Sequence, residues 1–252
     1  MANDKSWKKI CDDFNVLEHD FKKEPFRLTS QQIKMSCQDF KKTAEKEVRI
    51  LCKQDTREDR PEIFKKNGLF LLPVKNGVYN IIKGEGYFDI PEILSKEITY
   101  NSKLDFELQS SKVGNSEMQH LDFAYASSLI RTFMKDDSLV LTIRGRKYTP
   151  EFKFYVNKQE INVKSVQTEV DAGYEGKDKI VLIEAKSRAS KNTIIRQLYY
   201  PYRQWTENTN KEILVLFFEK IDDTYLIWQY KFKDKYDYNS IVLERSAKYK
   251  IE

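Results

Sequence analysis

The chain has 252 residues, 40% hydrophobic and 33% charged, with a formal net charge of +5; it can bury one large core or two small ones, and its positive excess favours a polyanionic partner without requiring one. Three cysteines without CxxC spacing (Cys11, Cys37, Cys52) and only two histidines far apart (His19, His120) argue against zinc sites, disulfide frameworks and chemistry built on a histidine base. Any hydrolysis must lean on carboxylates and lysine, and with no apolar run after MANDKSWKK and no stretch long enough to span a bilayer, a reducing cytoplasm is the expected compartment.

From Thr29 to Arg60, Ile33, Cys37, Phe40, Ala44, Val48 and Leu51 recur at three or four residues. The period predicts one long amphipathic helix capped by Thr29 or Ser30, with Lys41, Lys42, Lys46, Arg49 and Lys53 on a solvated or phosphate-binding face. Next, GLFLLPVKNGVYNIIKGEGYF sets Asn76-Gly77 between apolar runs, which predicts a β-hairpin or small meander over 68–88. The aperiodic polar stretch from Ile98 to Asn115 is the expected junction between an N-terminal helical and hairpin region, 1–115, and a second unit, 116–252.

In the second unit, Met118, Leu121, Tyr125, Leu129 and Phe133 form one helical stripe. LVLTIRG, FKFYVNKQEINVKSVQTEVDA and KIVLIEAK read as strands, ASKNTIIRQLYYPYRQW as a helix, EILVLFFEK and TYLIWQYKF as strands again. The order predicts an α/β (α+β) fold, a mixed sheet flanked by helices. Tyr199, Tyr200, Tyr202 and Trp205 are expected as core and interface aromatics before base-stacking platforms. Arg144, Arg146 and Lys147, in IRGRKYTP, are placed in a turn, solvated or touching the phosphates of a polyanion.

Chemistry concentrates in TEVDAGYEGKDKIVLIEAKSR, residues 168–188. Residues two apart on a strand share a face, so Glu169 and Asp171 point one way on one strand and Glu184 and Lys186 one way on the next. If the two strands pair antiparallel in the right register, the polar faces converge while Val181, Ile183 and Ala185 enter the core. Carboxylate oxygens in that arrangement suit Mg²⁺, which takes one or two carboxylates together with substrate phosphate oxygens, and Lys186 is placed to hold the attacking water. The competing reading is a half-exposed hairpin with weak cross-strand ion pairs.

Asp171 on one strand, then Glu184-Ala185-Lys186 on the next, resembles the PD-(D/E)xK nuclease motif, with Val170 where the motif has proline. Together with IIRQLYYPYRQW, the region from about 118 to 232 resembles the type II restriction endonucleases of that superfamily. The resemblance implies a restriction-endonuclease-like core and Mg²⁺-dependent, sequence-specific hydrolysis of double-stranded DNA by a homodimer. It makes Asp171 and Glu184 the metal-binding acids, Ala185 a ligand through its carbonyl, and Lys186 the residue that positions water. Glu169 is then a second-metal ligand or an ion-pair partner. Gln197 resembles a supporting glutamine, although Pro201 breaks the expected spacing, and Glu117 or Asp122 resembles an acid supplied by the core's first helix. Arg188 joins Arg144, Arg146 and Lys147 as a candidate DNA contact, and the N-terminal region is assigned to DNA recognition, dimerisation or both. The alternatives are a structure-specific repair or recombination nuclease with the same core, and a non-catalytic DNA-binding protein.

Overall fold

In the computed structural model of the protein, which describes residues 3–110 and 113–252, the strand β10 (Lys179–Lys186) is apolar on both faces. Ile180 and Leu182 enter one core and Val181, Ile183 and Ala185 another, because successive side chains of a strand leave on opposite sides. A sheet buried on both faces needs a cover on each. The helix α8 (Arg196–Thr206) supplies one through Leu198, Tyr199 and Tyr200. Helices α6 (Glu117–Ala126) and α7 (Leu129–Met134) supply the other through Leu121, Ala124, Leu129, Ile130 and Phe133.

Seven strands form this mixed sheet, in the order β5 (Ile98–Tyr100), β14 (Ile241–Ile251), β13 (Thr224–Phe232), β12 (Glu212–Ile221), β10, β9 (Gln167–Glu175) and β6 (Val140–Tyr148). β6, β9 and β10 form an antiparallel meander, and β12 lies parallel to β10 after the crossover through α8. The α/β class follows from these elements. A hairpin of β7 (Phe152–Val156) and β8 (Gln159–Val163) is inserted before β9, and its Phe152 and Phe154 pack on Tyr199 and Tyr200. These two tyrosines are fully buried, so they serve the core.

The N-terminal unit is built on a second sheet, β1 (Phe26–Thr29), β3 (Val78–Lys83) and β2 (Leu69–Lys75), with the hairpin turning at Asn76-Gly77. Alternation along β2 joins the two units: Leu69 and Leu71 face the N-terminal core, while Phe70, Leu72 and Val74 face the α8 side of the large sheet. The small strands β4 (Tyr87–Asp89) and β11 (Asn192–Ile194) pair across the same boundary.

Several expectations change. The long helix over 29–60 is instead α2 (Ser30–Cys37), α3 (Thr43–Lys46) and α4 (Val48–Leu51), following α1 (Asp4–Asp13) and preceding α5 (Glu62–Asn67). Thr29 does cap it, in a reciprocal box with Gln32. Helical continuity gives way to packing: the Glu45 carbonyl accepts from Ser6 Oγ at 2.6 Å and the Leu51 carbonyl from Trp7 Nε1 at 3.1 Å, oxygens a continuous helix would have used internally. The helical stripe of 118–133 likewise breaks at Ser127 and Ser128, where Ser128 takes φ +66° and the Ser127 carbonyl accepts from Tyr100 Oη at 2.9 Å. Finally, Arg144, Arg146 and Lys147 lie not in a turn but in β6, which stays paired to β9 as far as Tyr148 and Gln167. The stretch 98–115, expected as a junction, contributes β5 to the large sheet; its residues 111 and 112 lie outside the described residues.

One buried cation fastens α8. Arg203, 1% exposed, donates through Nη1 to the carbonyls of Lys153 at 2.8 Å and Lys235 at 3.1 Å, and through Nη2 to Glu207 at 3.0 Å. Arg203→Met removes the donor to the Lys153 carbonyl, while the Lys235 carbonyl keeps Tyr199 Oη at 2.6 Å; the change is expected to cost about 1–3 kcal/mol. Urea unfolding followed by circular dichroism measures it, and an unchanged midpoint would contradict this account of how α8 is held.

Candidate active site

Antiparallel pairing of β9 with β10 runs from Glu175 opposite Ile180 to Ala172 opposite Ile183. One step further the same register sets Asp171 opposite Glu184. There the ladder stops, and against β6 the strand β9 carries one extra residue between Val170, opposite Gly145, and Gly173, opposite Ile143. Such a bulge ends pairing and re-aims a side chain. Gly173 permits the close approach beside it, since a Cβ there would sit 2.7 Å from Ile143 Cβ. In place of a strand carbonyl, the Ala185 N–H donates to Asp171 Oδ2 at 2.8 Å. The N–H and C=O of a strand residue leave on the same side, so the Ala185 carbonyl faces the same gap.

Glu184 is 8% exposed, and burial pushes its carboxyl up to about 7, with Asp171 adding repulsion and Lys186 opposing both. Burial also raises Asp171, against the pull of the Ala185 N–H and Lys186. The ammonium of Lys186 is hydrogen-bonded to Glu184 Oε1. Burial alone would lower its pKa, but Glu184 and Asp171 raise it, so it stays charged. Two desolvated acids share one cation, an arrangement that a divalent ion would relieve. Two carboxylates and one carbonyl fit Mg²⁺, which completes its octahedron with waters and substrate oxygens; among the described residues no three His, Cys, Asp or Glu side chains converge into a larger ligand set.

The remaining candidates divide. Glu117, at the start of α6, lines the cleft above the acids and accepts from the Ser187 N–H at 3.2 Å. Asp122 is turned away and paired with Arg144. Glu169 lines the cleft but is engaged by Arg146 at 3.2 Å. Gln197 also lines the cleft, with Oε1 accepting from Thr193 Oγ1 at 2.5 Å. Lys147 and Arg188 are exposed, with no ion-pair partner among the described residues.

Several neighbours of the site have no local sequence signal. Asp55, after α4, raises the Glu184 pKa by its charge and lies 3.7 Å from Arg196 on α8. Its backbone carbonyl accepts from the Ile194 N–H at 2.8 Å, a contact spanning most of the chain. Glu219 was more legible, as a charge closing the apolar run EILVLFFEK. It lies beside Lys186 in the parallel register of β12, 2% exposed, and accepts from the Ser190 N–H at 2.8 Å; burial pushes it to about 7. Together the two units enclose a cleft of about 690 Å³ with Asp171, Glu184 and Lys186 on one wall and Arg49, Lys53 and Lys75 on the other.

No described helix is long and apolar enough to cross a membrane. No curated protein and no solved structure matches the chain. Residues 4–81 match a family model described as a domain of unknown function, DUF6996, and residues 82–250 match another, described as a domain of unknown function, DUF6997. The two meet within β3, the central strand of the small sheet. Matched over well more than half its length by the second of these models, the chain belongs to the DUF6997 family.

Proposed function

We propose that this protein is a Mg²⁺-dependent endonuclease of the PD-(D/E)xK type, with a restriction-endonuclease-like core, hydrolysing phosphodiester bonds in double-stranded DNA at specific sequences. The observation that carries the reading is the meeting of Asp171 and Glu184 across the end of the β9–β10 ladder, with Lys186 two residues beyond Glu184. The order of α6 and α7, a β6–β9–β10 meander, α8 and β12 supports the same core.

Asp171, Glu184 and the Ala185 carbonyl would hold the ion. Bound there, Mg²⁺ would supply Lewis acidity and lower the pKa of a water. Asp171 is oriented by the Ala185 N–H, so its free oxygen is presented to the gap in a fixed direction. Lys186 stays cationic beside Glu184, placed to orient an attacking water and to balance charge developing on the phosphate. The acids stand on paired strands, which hold them more accurately than a loop would.

Cutting both strands of a palindrome calls for two sites related by a two-fold axis, so a homodimer follows from this reading. Incubation of the protein with varied duplexes and Mg²⁺ should give discrete fragments, and sequencing their ends gives site and stagger together. Fragments with unrelated ends at junctions or flaps would replace sequence specificity by structure specificity.

A further inference from the structure

The cations of the cleft are not equivalent. Those on the core side are all engaged: Arg146 with Glu169 at 3.2 Å, Arg196 with Asp55 at 3.7 Å, and Lys186 with Glu184. On the N-terminal wall, Arg49 and Lys75 line the cleft, exposed, and neither has a carboxylate partner among the described residues. Lys53 pairs with Asp55 at 3.8 Å but is itself 74% exposed, so Arg49 and Lys75 are the cations left without a partner there. Uncompensated positive charge is therefore confined to one wall.

The charge of the whole chain is distributed in the same way. Residues 4–81 hold 17 Lys and Arg against 13 Asp and Glu, whereas 82–252 hold 27 against 26, so almost all of the net charge of +5 belongs to the N-terminal unit. The wall is also fixed in place. Beyond the Asp55 contact, the Arg57 N–H donates to Asn192 Oδ1 at 2.7 Å and the Arg57 guanidinium grips Asp89 at 2.5 Å. Fixed, solvated cations opposite a carboxylate-rich wall form a track for a polyanion, because the phosphates meet attraction on one side and the acids on the other.

We propose that residues 4–81 form the DNA-backbone wall of the cleft, in which Arg49, Lys53 and Lys75 hold phosphates flanking the one that reacts. The proposal deepens the nuclease reading and rests on it for the identity of the polyanion. It assigns the N-terminal unit a place in substrate binding within each chain, at the catalytic cleft itself.

The test measures binding of a random-sequence DNA duplex by fluorescence anisotropy at a series of NaCl concentrations, in an Asp171→Asn background to suppress cleavage. Each phosphate contact contributes about 0.9 to the slope of log affinity against log salt. Arg49→Ala, Lys53→Ala and Lys75→Ala combined are expected to flatten that slope by about two to three and to weaken binding roughly tenfold or more at low salt. Lys22→Ala with Lys23→Ala, exposed and away from the cleft, should leave both unchanged. If the triple variant loses its circular dichroism, the single changes Arg49→Ala and Lys75→Ala are expected to reduce the slope by about one each.

Unchanged slope and affinity, or an equal loss in the Lys22 and Lys23 control, would overturn the wall while leaving the nuclease reading in place. Binding that depends on these cations by a wild-type protein that cuts no duplex with Mg²⁺ or Mn²⁺ would leave the wall standing and remove the nuclease. Tighter binding of an RNA duplex through the same cations would overturn DNA as the occupant, and no binding of either would overturn both.

Discussion

Asp171→Asn is expected to reduce DNA cleavage on the order of a thousandfold or more while duplex affinity stays near that of the wild type. Asparagine keeps the size of the side chain and can still accept the Ala185 N–H, so the end of the β9–β10 ladder should survive. What it removes is a negative oxygen facing the gap. Glu184→Gln should behave alike, and the combined variant should lose little beyond either single one, because groups acting on one ion are not additive. Single-turnover cleavage of a duplex carrying the identified site, alongside anisotropy for binding, reads both quantities. Wild-type cleavage by Asp171→Asn would remove the assignment of the site. Equal losses of binding and cleavage would instead make Asp171 a structural residue.

Without metal, the protein is expected to lose stability as the pH rises. Glu184 and Glu219 are both pushed up to about 7 by burial, from an ordinary value of 4.5, so the folded state binds protons that the unfolded state releases. For a raised carboxyl, the stabilisation is complete below about pH 4.5 and is lost as the pH climbs to about 7. Glu184 alone accounts for about 3 kcal/mol across that window, and Asp171 shifts in the same direction. Urea midpoints in chelator at pH 5 and pH 8 measure the loss. Glu184→Gln should flatten part of the dependence and Glu219→Gln another part. Mg²⁺ is expected to restore stability at pH 8 more than at pH 5, because below about 7 the ion must displace the proton on Glu184. A protein more stable at pH 8 than at pH 5 in chelator would contradict the burial of these acids.

Much of this site could be read one residue at a time. The continuous apolar run of IVLIEAK marks a strand buried on both faces, and any charge within it must find compensation; Glu184 and Lys186 stand out for that reason. β14 carried only part of a signal: Ala247, Tyr249 and Ile251 recur with period two, but an irregularity between Leu243 and Arg245 sends Ile241 to the opposite face. The helices over 29–60 and 118–133 were legible as apolar stripes but not as continuous cylinders. Ser6 and Trp7 claim the Glu45 and Leu51 carbonyls in the first, and Tyr100 claims the Ser127 carbonyl at the break in the second, all of them side chains far away in the sequence.

What the sequence alone determined is the class of fold and the placing of two acids and a lysine on strands within residues 168–188, because strand period and the cost of buried charge act between near neighbours. Only the tertiary structure decided that Asp171 falls opposite Glu184 where the β9–β10 ladder ends, since that register and the irregular pairing of β9 with β6 are set between strands and not within one. It alone also brought Asp55, Arg49 and Lys75 to the cleft. Those residues belong to a separate sheet joined to the core through the two faces of β2, and no local pattern encodes a contact made by folding one unit against another.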